Sequence, residues 1–131
     1  WGDHYARSMA SYGVFLAACG YRYHGPKGFL AFAPRLTPEN FRAPFTTAEG
    51  WGTFSQQRDG KEQRETLELK WGKLRLRSMA FAVPQNTTPT QVRVAAQKAF
   101  RHRLDGDTVI IELADDVVLE AGQKLEVIIT Y

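Results

Sequence analysis

Residues 66–77 read TLELKWGKLRLR, and this stretch decides the class of fold. Apolar and charged side chains alternate along it, so that Leu67, Leu69 and Trp71 share one predicted face. A two-residue period of this kind is typical of a strand with one buried side. The alternation resumes beyond Gly72, and glycine permits a tight turn. The stretch is therefore predicted to be a hairpin that reverses at this residue.

Similar strand patterns recur through the C-terminal part of the chain. Turn signals rich in Gly, Pro, Asn and Asp separate them, and no long helical pattern interrupts them, which favours an antiparallel sheet. Strands are predicted at residues 29–33, 49–56, 66–71, 73–77, 79–83, 91–95, 108–113 and 125–130. Residues 29–131 are therefore predicted to form a C-terminal antiparallel β-sandwich.

The N-terminal residues 3–19 have the 3.6-residue period of a helix instead. Toward its end the pattern becomes apolar on every face, which is typical of a helix that is buried on all sides. Gly20 is placed to end the helix, and turn-rich sequence follows it. The fold class is therefore mostly β with one N-terminal helix, and the chain is divided into residues 1–28 and residues 29–131.

One polar stripe, formed by His4, Arg7 and Ser11, interrupts this predicted helix. A buried arginine has to be paired, because an unpaired charge in the interior is prohibitive. Periodicity leaves two interpretations open. Arg7 forms a salt bridge with a carboxylate elsewhere, or the stripe lines a polar cavity in which its donors meet sugar hydroxyls.

Several segments resemble the C-terminal sequences of glycoside hydrolase family 116, the family of non-lysosomal glucosylceramidase and bacterial β-glucosidases. The resemblance is dense over residues 2–56 and thin afterward, and Trp1 stands where many relatives would have cysteine. It is carried by residues 2–12 (GDHYARSMASY), 20–34 (GYRYHGPKGFLAFAP), 36–41 (LTPENF) and 48–52 (AEGWG).

This resemblance implies a retaining β-glycosidase with an (α/α)6 catalytic barrel, of which residues 1–28 would be the last helix and a linker. Retention needs two carboxyl groups about 5 Å apart. The family resemblance places both upstream of this chain, so no catalytic residue is expected within it. By position in the motif, Arg7 is the substrate-binding candidate. His4 is a secondary candidate, for which a role in orientation or capping is equally open.

The partners expected on this hypothesis are the upstream catalytic portion of the same enzyme and a β-linked sugar in the assembled enzyme. An uncovered apolar helix would be an aggregation hazard. A catalytic partner chain, or a second copy in an oligomer, is therefore expected to cover residues 3–19.

Trp51 and Trp71 belong to a second hypothesis, a self-standing β-sandwich that binds a glycan or a protein. Two tryptophans can form a sugar-stacking platform, but each lies among apolar neighbours in a strand pattern, so core packing is favoured. Residues 50–52 (GWG) are predicted to mark a bulge or a close approach between strands. The helix separates the two hypotheses, since a free module has no use for a helix that is apolar on every face.

Composition argues against several other classes of protein. The net charge is +3 and the sequence pI is near 9.2, but the basic residues mostly alternate with apolar or acidic ones, so no nucleic-acid partner is expected.

The single cysteine, Cys19, rules out an internal disulfide. Asp105, Asp107, Asp115 and Asp116 are expected in hairpin turns, and neither metal nor cofactor is expected. No apolar stretch reaches the roughly 18–20 residues of a membrane span. The compartment is left open, with the cytoplasm favoured.

Overall fold

The computed structural model describes residues 20–35, 37–95, 97 and 99–131, and over those residues it consists of strands and their connections. The prediction of a mostly β chain is therefore confirmed. The strands are β1 (Arg22–His24), β2 (Phe29–Phe32), β3 (Asn40–Thr46), β4 (Gly50–Asp59), β5 (Glu62–Ala82), β6 (Gln91–Val94), β7 (Phe100–Asp105), β8 (Thr108–Glu120) and β9 (Lys124–Thr130).

The nine strands belong to one mixed sheet whose two halves share β5. One half has the order β3-β4-β5-β9-β6, and the other has the order β1-β2-β5-β8-β7. Strand β5 pairs with β9 through residues 62–68 and with β8 through residues 73–82. The long strand β5 is therefore the link between the two halves.

Strands β2 and β5 run parallel, with Phe29 opposite Ser78 and Phe32 opposite Phe81. The prediction of a purely antiparallel sheet was wrong at this pair, while the other pairings between described strands are antiparallel. The chain leaves β2, forms β3 and β4 in the other half, and returns along β5 in the direction of β2. Connectivity between the halves decides this pairing, and alternation along a single strand carries no information about it.

The predicted hairpin turn at Gly72 was also wrong, because β5 runs through this residue without reversing. Gly72 has a φ of 80°, in the left-handed region, and lies where β5 passes from one half of the sheet to the other. The reversal occurs at Gly60, whose φ is 61°, between Asp59 and Glu62, which face each other across β4 and β5. Glycine at the first position of a two-residue loop supplies the positive φ that such a hairpin requires.

The inner faces of the two halves pack together around aromatic rings. Phe32 of β2 stacks on Phe54 of β4 with ring centroids 3.8 Å apart, and Phe81 of β5 lies 6.1 Å from Phe54. All three side chains are buried. Complete burial of a side chain of this kind contributes roughly 1.5–3 kcal/mol. This core fixes the two halves face to face.

Candidate functional site

Trp51 and Trp71 form an exposed aromatic pair on the outer face of the sheet. They lie directly opposite each other on β4 and β5, and their side chains are 48% and 63% exposed. The prediction that both pack in the core was wrong. Directly opposite residues on neighbouring strands have Cβ atoms roughly 4.5–5.5 Å apart on the same face. The two tryptophans are therefore neighbours on one exposed face, and we call this pair the tryptophan platform.

A single extra residue in β5 turns Trp71 outward. The pairing of β4 with β5 shifts between Trp51 and Gly52, and Lys70 of β5 has no paired residue on β4. Leu69 remains fully buried, whereas Lys70 and Trp71 are both exposed. Without this bulge, Trp71 would follow Leu69 into the core, since a one-residue shift moves a side chain to the opposite face.

Trp51 faces outward because glycines occupy the inward positions on either side of it. The backbones of β4 and β5 approach closely here. A Cβ atom at Gly52 would lie 2.1 Å from the carbonyl oxygen of Glu68. A Cβ atom at Gly50 would lie 2.4 Å from the carbonyl oxygen of Trp71. Residues 50–52 were predicted to mark a bulge or a close approach between strands. The close approach is confirmed at both glycines, and the β4–β5 register also shifts here, with the extra residue in β5.

A charged cluster borders the platform at Glu68, two register positions from Trp71 in the pairing of β4 with β5. Glu68 lies opposite Thr53 and accepts hydrogen bonds from the ammonium groups of Lys70 and Lys124, the latter with Nζ 3.3 Å from Glu68 Oε2. The hydrogen bond from Lys70, helped by Lys124, holds the pKa of the Glu68 carboxyl below its usual value. The platform is therefore bounded at neutral pH by an ionised carboxylate and two cations.

A cleft of about 310 Å³ lies further along the outer face of β5, beyond Trp71. Arg75 builds its wall: Nη2 donates hydrogen bonds to the carbonyl oxygens of Gly25 and Pro26, both at 2.9 Å. The Nη1 atom of the same guanidinium lies 3.1 Å from Asp116 Oδ2. The cleft is lined by Tyr23, Gly25, Pro26, Ala48, Glu49, Lys73 and Arg75.

A second polar group lies inside the core, on the inward face of β4 and β5. Glu65 is fully buried and accepts a hydrogen bond from Gln63 Nε2, and its Oε2 atom has no hydrogen-bond partner. Arg58 Nε donates to Gln63 Oε1 at 2.8 Å. Burial raises the pKa of Glu65 to about 8, against the opposing effects of Gln63 and Arg58. Glu65 is therefore a neutral acid at pH 7 that stands apart from the platform.

The sequence-predicted site residues Arg7 and His4 lie outside the described residues, as does the helix predicted to carry them. Asp107 lies in the turn between β7 and β8, as predicted. Asp105 is the last residue of β7, and Asp115 and Asp116 lie within β8, so the assignment of these three to turns was wrong. Among the residues that the structure describes, no group of three or more His, Cys, Asp or Glu side chains could hold a metal ion.

Sequence reasoning missed the cleft, the buried acid and the bulge, although the sequence held signals for the last two. Gln63 and Glu65 have the same parity as the buried Leu67 along β5, so alternation already placed them inward. The buried side chains change parity between Leu69 and Leu74, and that change required an extra residue between them.

Within the part of the chain that is described, no helix has the length and hydrophobicity needed to cross a membrane. No protein-family model, no curated protein and no solved structure matches this chain.

Proposed function

We propose that this chain binds carbohydrate through Trp51 and Trp71, as the accessory β-domain of a glycoside-processing enzyme. The observation that carries the proposal is the pair of exposed indoles held opposite each other on two paired strands. The flat face of an indole stacks on the apolar C–H face of a pyranose ring, while polar groups at the edge bind its hydroxyls. Glu68 and its two lysines supply such groups beside the platform.

The size of the platform favours a small ligand over a protein partner. The two indoles together expose on the order of 250 Å² of surface, taking about 250 Å² for one large aromatic side chain. A stable protein interface buries roughly 800 Å² on each partner and has an apolar centre. Beyond Trp51 and Trp71, the adjacent outward positions are charged or polar, as at Glu68 and Lys73. An apolar surface of this extent fits one or two sugar rings.

A second candidate function concerns the parent enzyme, and the resemblance of residues 2–56 to family 116 supports it. On this proposal the chain is the C-terminal part of a retaining β-glycosidase whose upstream portion supplies both catalytic carboxylates. Arg7, with His4 as the weaker candidate, would complete the sugar-binding site. The two proposals are compatible, since a platform on the accessory domain would hold glycan near the active site. The reading frame of the gene distinguishes the two hypotheses. Several hundred residues encoded upstream of Trp1 would support the parent enzyme, whereas a start codon near Trp1 would support the self-standing module.

Calorimetric titration of the purified chain with β-linked glucan and xylan oligosaccharides tests the carbohydrate proposal. Trp51→Ala and Trp71→Ala are each expected to weaken binding roughly tenfold or more, which corresponds to about 1.4 kcal/mol. The matched control is Val118→Ala, which truncates an apolar side chain that is 50% exposed on β8. The proposal is wrong if a panel of neutral and acidic glycans shows no binding, or if both tryptophan variants bind normally.

A further inference from the structure

We propose that the cleft beyond Trp71 is a second sugar subsite, so that the ligand is a neutral oligosaccharide of at least two residues. This inference rests on the proposed function and adds to it the length and charge class of the glycan. A cleft of about 310 Å³ is at the small end of the roughly 300–1,000 Å³ that ligand pockets occupy. Its size suits one sugar ring beside the ring that stacks on the platform.

The cleft and the platform are neighbours along the outward side of β5, where Lys73 and Arg75 line the cleft and Trp71 precedes them. After the bulge at Lys70, the side chains of Trp71, Lys73 and Arg75 all point outward. Residues two apart on one face of a strand are separated by roughly 6.6 Å. A ligand stacked on Trp71 therefore extends its next ring toward Lys73, which lines the cleft.

Two side chains of the cleft have hydrogen-bonding capacity that the protein does not use. Glu49 and Lys73 are exposed, and neither side chain has a hydrogen-bond or ion-pair partner among the described residues. The backbone fixes them next to each other, since Lys73 N donates to Glu49 O at 3.2 Å. A carboxylate accepts and an ammonium donates, which are the two partners that sugar hydroxyls require.

The charge of the cleft favours a neutral ligand over an acidic glycan. The Glu49 carboxylate offsets the Lys73 ammonium, and the third charged side chain, Arg75, is already paired with Asp116. Its Nη2 atom is occupied by the carbonyl oxygens of Gly25 and Pro26. Arg75 therefore holds the wall of the cleft and is not an open site for an anion.

The wall itself is fixed to the sheet at several points. Besides the contacts of Arg75, the backbone N–H groups of Arg77 and Ser78 donate to Gly28 O at 2.8 and 3.2 Å. The turn that joins β1 to β2 is thereby attached to β5. A preformed wall lowers the entropy that is lost when a ligand orders its site, so the second ring should add to affinity.

The test compares glucose, cellobiose, cellotetraose and a tetragalacturonate by calorimetry, using the whole chain and the variants Glu49→Gln and Lys73→Met. Glu39→Gln and Lys61→Met are matched controls, because both residues are exposed and neither lines the cleft. Cellobiose is expected to bind at least tenfold more tightly than glucose. Each cleft variant should reduce this gain severalfold with glucose affinity unchanged, and the acidic tetramer should bind no more tightly than cellotetraose.

The outcomes separate this inference from the proposed function. Equal affinity for glucose and cellobiose, with both lost in Trp71→Ala, would overturn the second subsite and leave the platform intact. Tighter binding of the tetragalacturonate would overturn the neutral class. An unchanged gain in Glu49→Gln and Lys73→Met would remove the cleft from the site. Absence of binding by all four sugars would overturn the inference, and absence of binding across the wider panel of neutral and acidic glycans would overturn the proposed function as well.

Discussion

Gly50 and Gly72 lie directly opposite each other across β4 and β5, one register position from Trp51 and Trp71. The carbonyl oxygen of Glu49 occupies the space that a side chain at Gly72 would need, at 1.9 Å from an added Cβ atom. This contact of backbone with backbone lets β5 pass from one half of the sheet to the other while the two tryptophans stay outside.

The first prediction concerns Gly72→Ala, which should lower the free energy of unfolding by at least ~3 kcal/mol or prevent folding. Its φ of 80° and the Glu49 carbonyl both oppose a side chain. Gly60→Ala is the matched control, because it has a φ of 61° with nothing within 4 Å of an added Cβ. Its expected cost is about 1–2 kcal/mol. Denaturant titration measures both, and equal losses would show that the close approach has no effect.

The second prediction separates exposed from buried aromatic residues. Trp51→Ala and Trp71→Ala should each change the free energy of unfolding by less than about 1 kcal/mol, since their side chains are 48% and 63% exposed. Phe54→Ala, in the stacked core, should cost about 3–5 kcal/mol. A loss of that size at either tryptophan in thermal or denaturant unfolding would place its side chain in the core, as the sequence pattern predicted.

The third prediction is a fall in stability as pH rises from about 4.5 to about 8. Burial raises the pKa of Glu65 to about 8 in the folded protein, against 4.5 for a free side chain. The folded state therefore keeps a proton that the unfolded state releases, and stability falls wherever that difference exists. The stability that the protein has with Glu65 protonated is fully present below pH 4.5 and is lost by about pH 8. The expected change in the free energy of unfolding is on the order of a few kcal/mol.

Glu65→Gln tests the origin of this pH dependence. The amide keeps an acceptor for Gln63 Nε2 but cannot ionise, so stability between pH 4.5 and 8 should become nearly level. Glu126→Gln, a half-buried glutamate on β9, should leave the slope unchanged. Denaturation curves collected across this pH range give the slopes directly. An unaltered slope in Glu65→Gln would assign the effect to another group.

The fourth prediction follows from the proposed parent enzyme. The isolated chain should not hydrolyse aryl β-glycosides above background, because the resemblance places both catalytic carboxylates upstream. The assay uses rigorously purified protein at high concentration. Turnover that persists through purification and disappears when a residue of this chain is substituted would reveal a catalytic pair within it.

The fifth prediction concerns Arg7→Lys in the intact parent enzyme. Lysine preserves the charge but loses the fork of guanidinium donors that suits adjacent hydroxyls or an orienting carboxylate. We expect kcat/KM to fall by roughly 30- to 1000-fold, about 2–4 kcal/mol, with a much smaller change in the thermal midpoint. A sharp drop in the midpoint with normal kcat/KM in the folded enzyme would identify Arg7 as a structural ion-pair residue.

Three strands were not predicted from the sequence, namely β1, β3 and β7, and β1 lies in the segment that was predicted to be turn-rich. Strand β3 contains Pro44, which removes a backbone donor and is tolerated at a sheet edge. Strand β7 is half-buried at Phe100 and exposed at its other positions, so neither face has a continuous apolar pattern. Alternation finds strands with one buried face, which β7 lacks. Strand β3 does alternate, with Phe41, Ala43 and Phe45 inward, but Pro44 argues against a strand in sequence reasoning.

The amino-acid sequence by itself determined the mostly β class, the position of the central strands and the close approach at residues 50–52. Each of these follows from local chemistry, namely two-residue alternation and the absence of a side chain at glycine. Tertiary structure alone decided that β5 continues through Gly72, that β2 joins it in parallel, and that Trp71 is exposed. The reason is that a single bulged residue, Lys70, changes the face of every position after it, and only pairing with β4 selects the residue that is bulged.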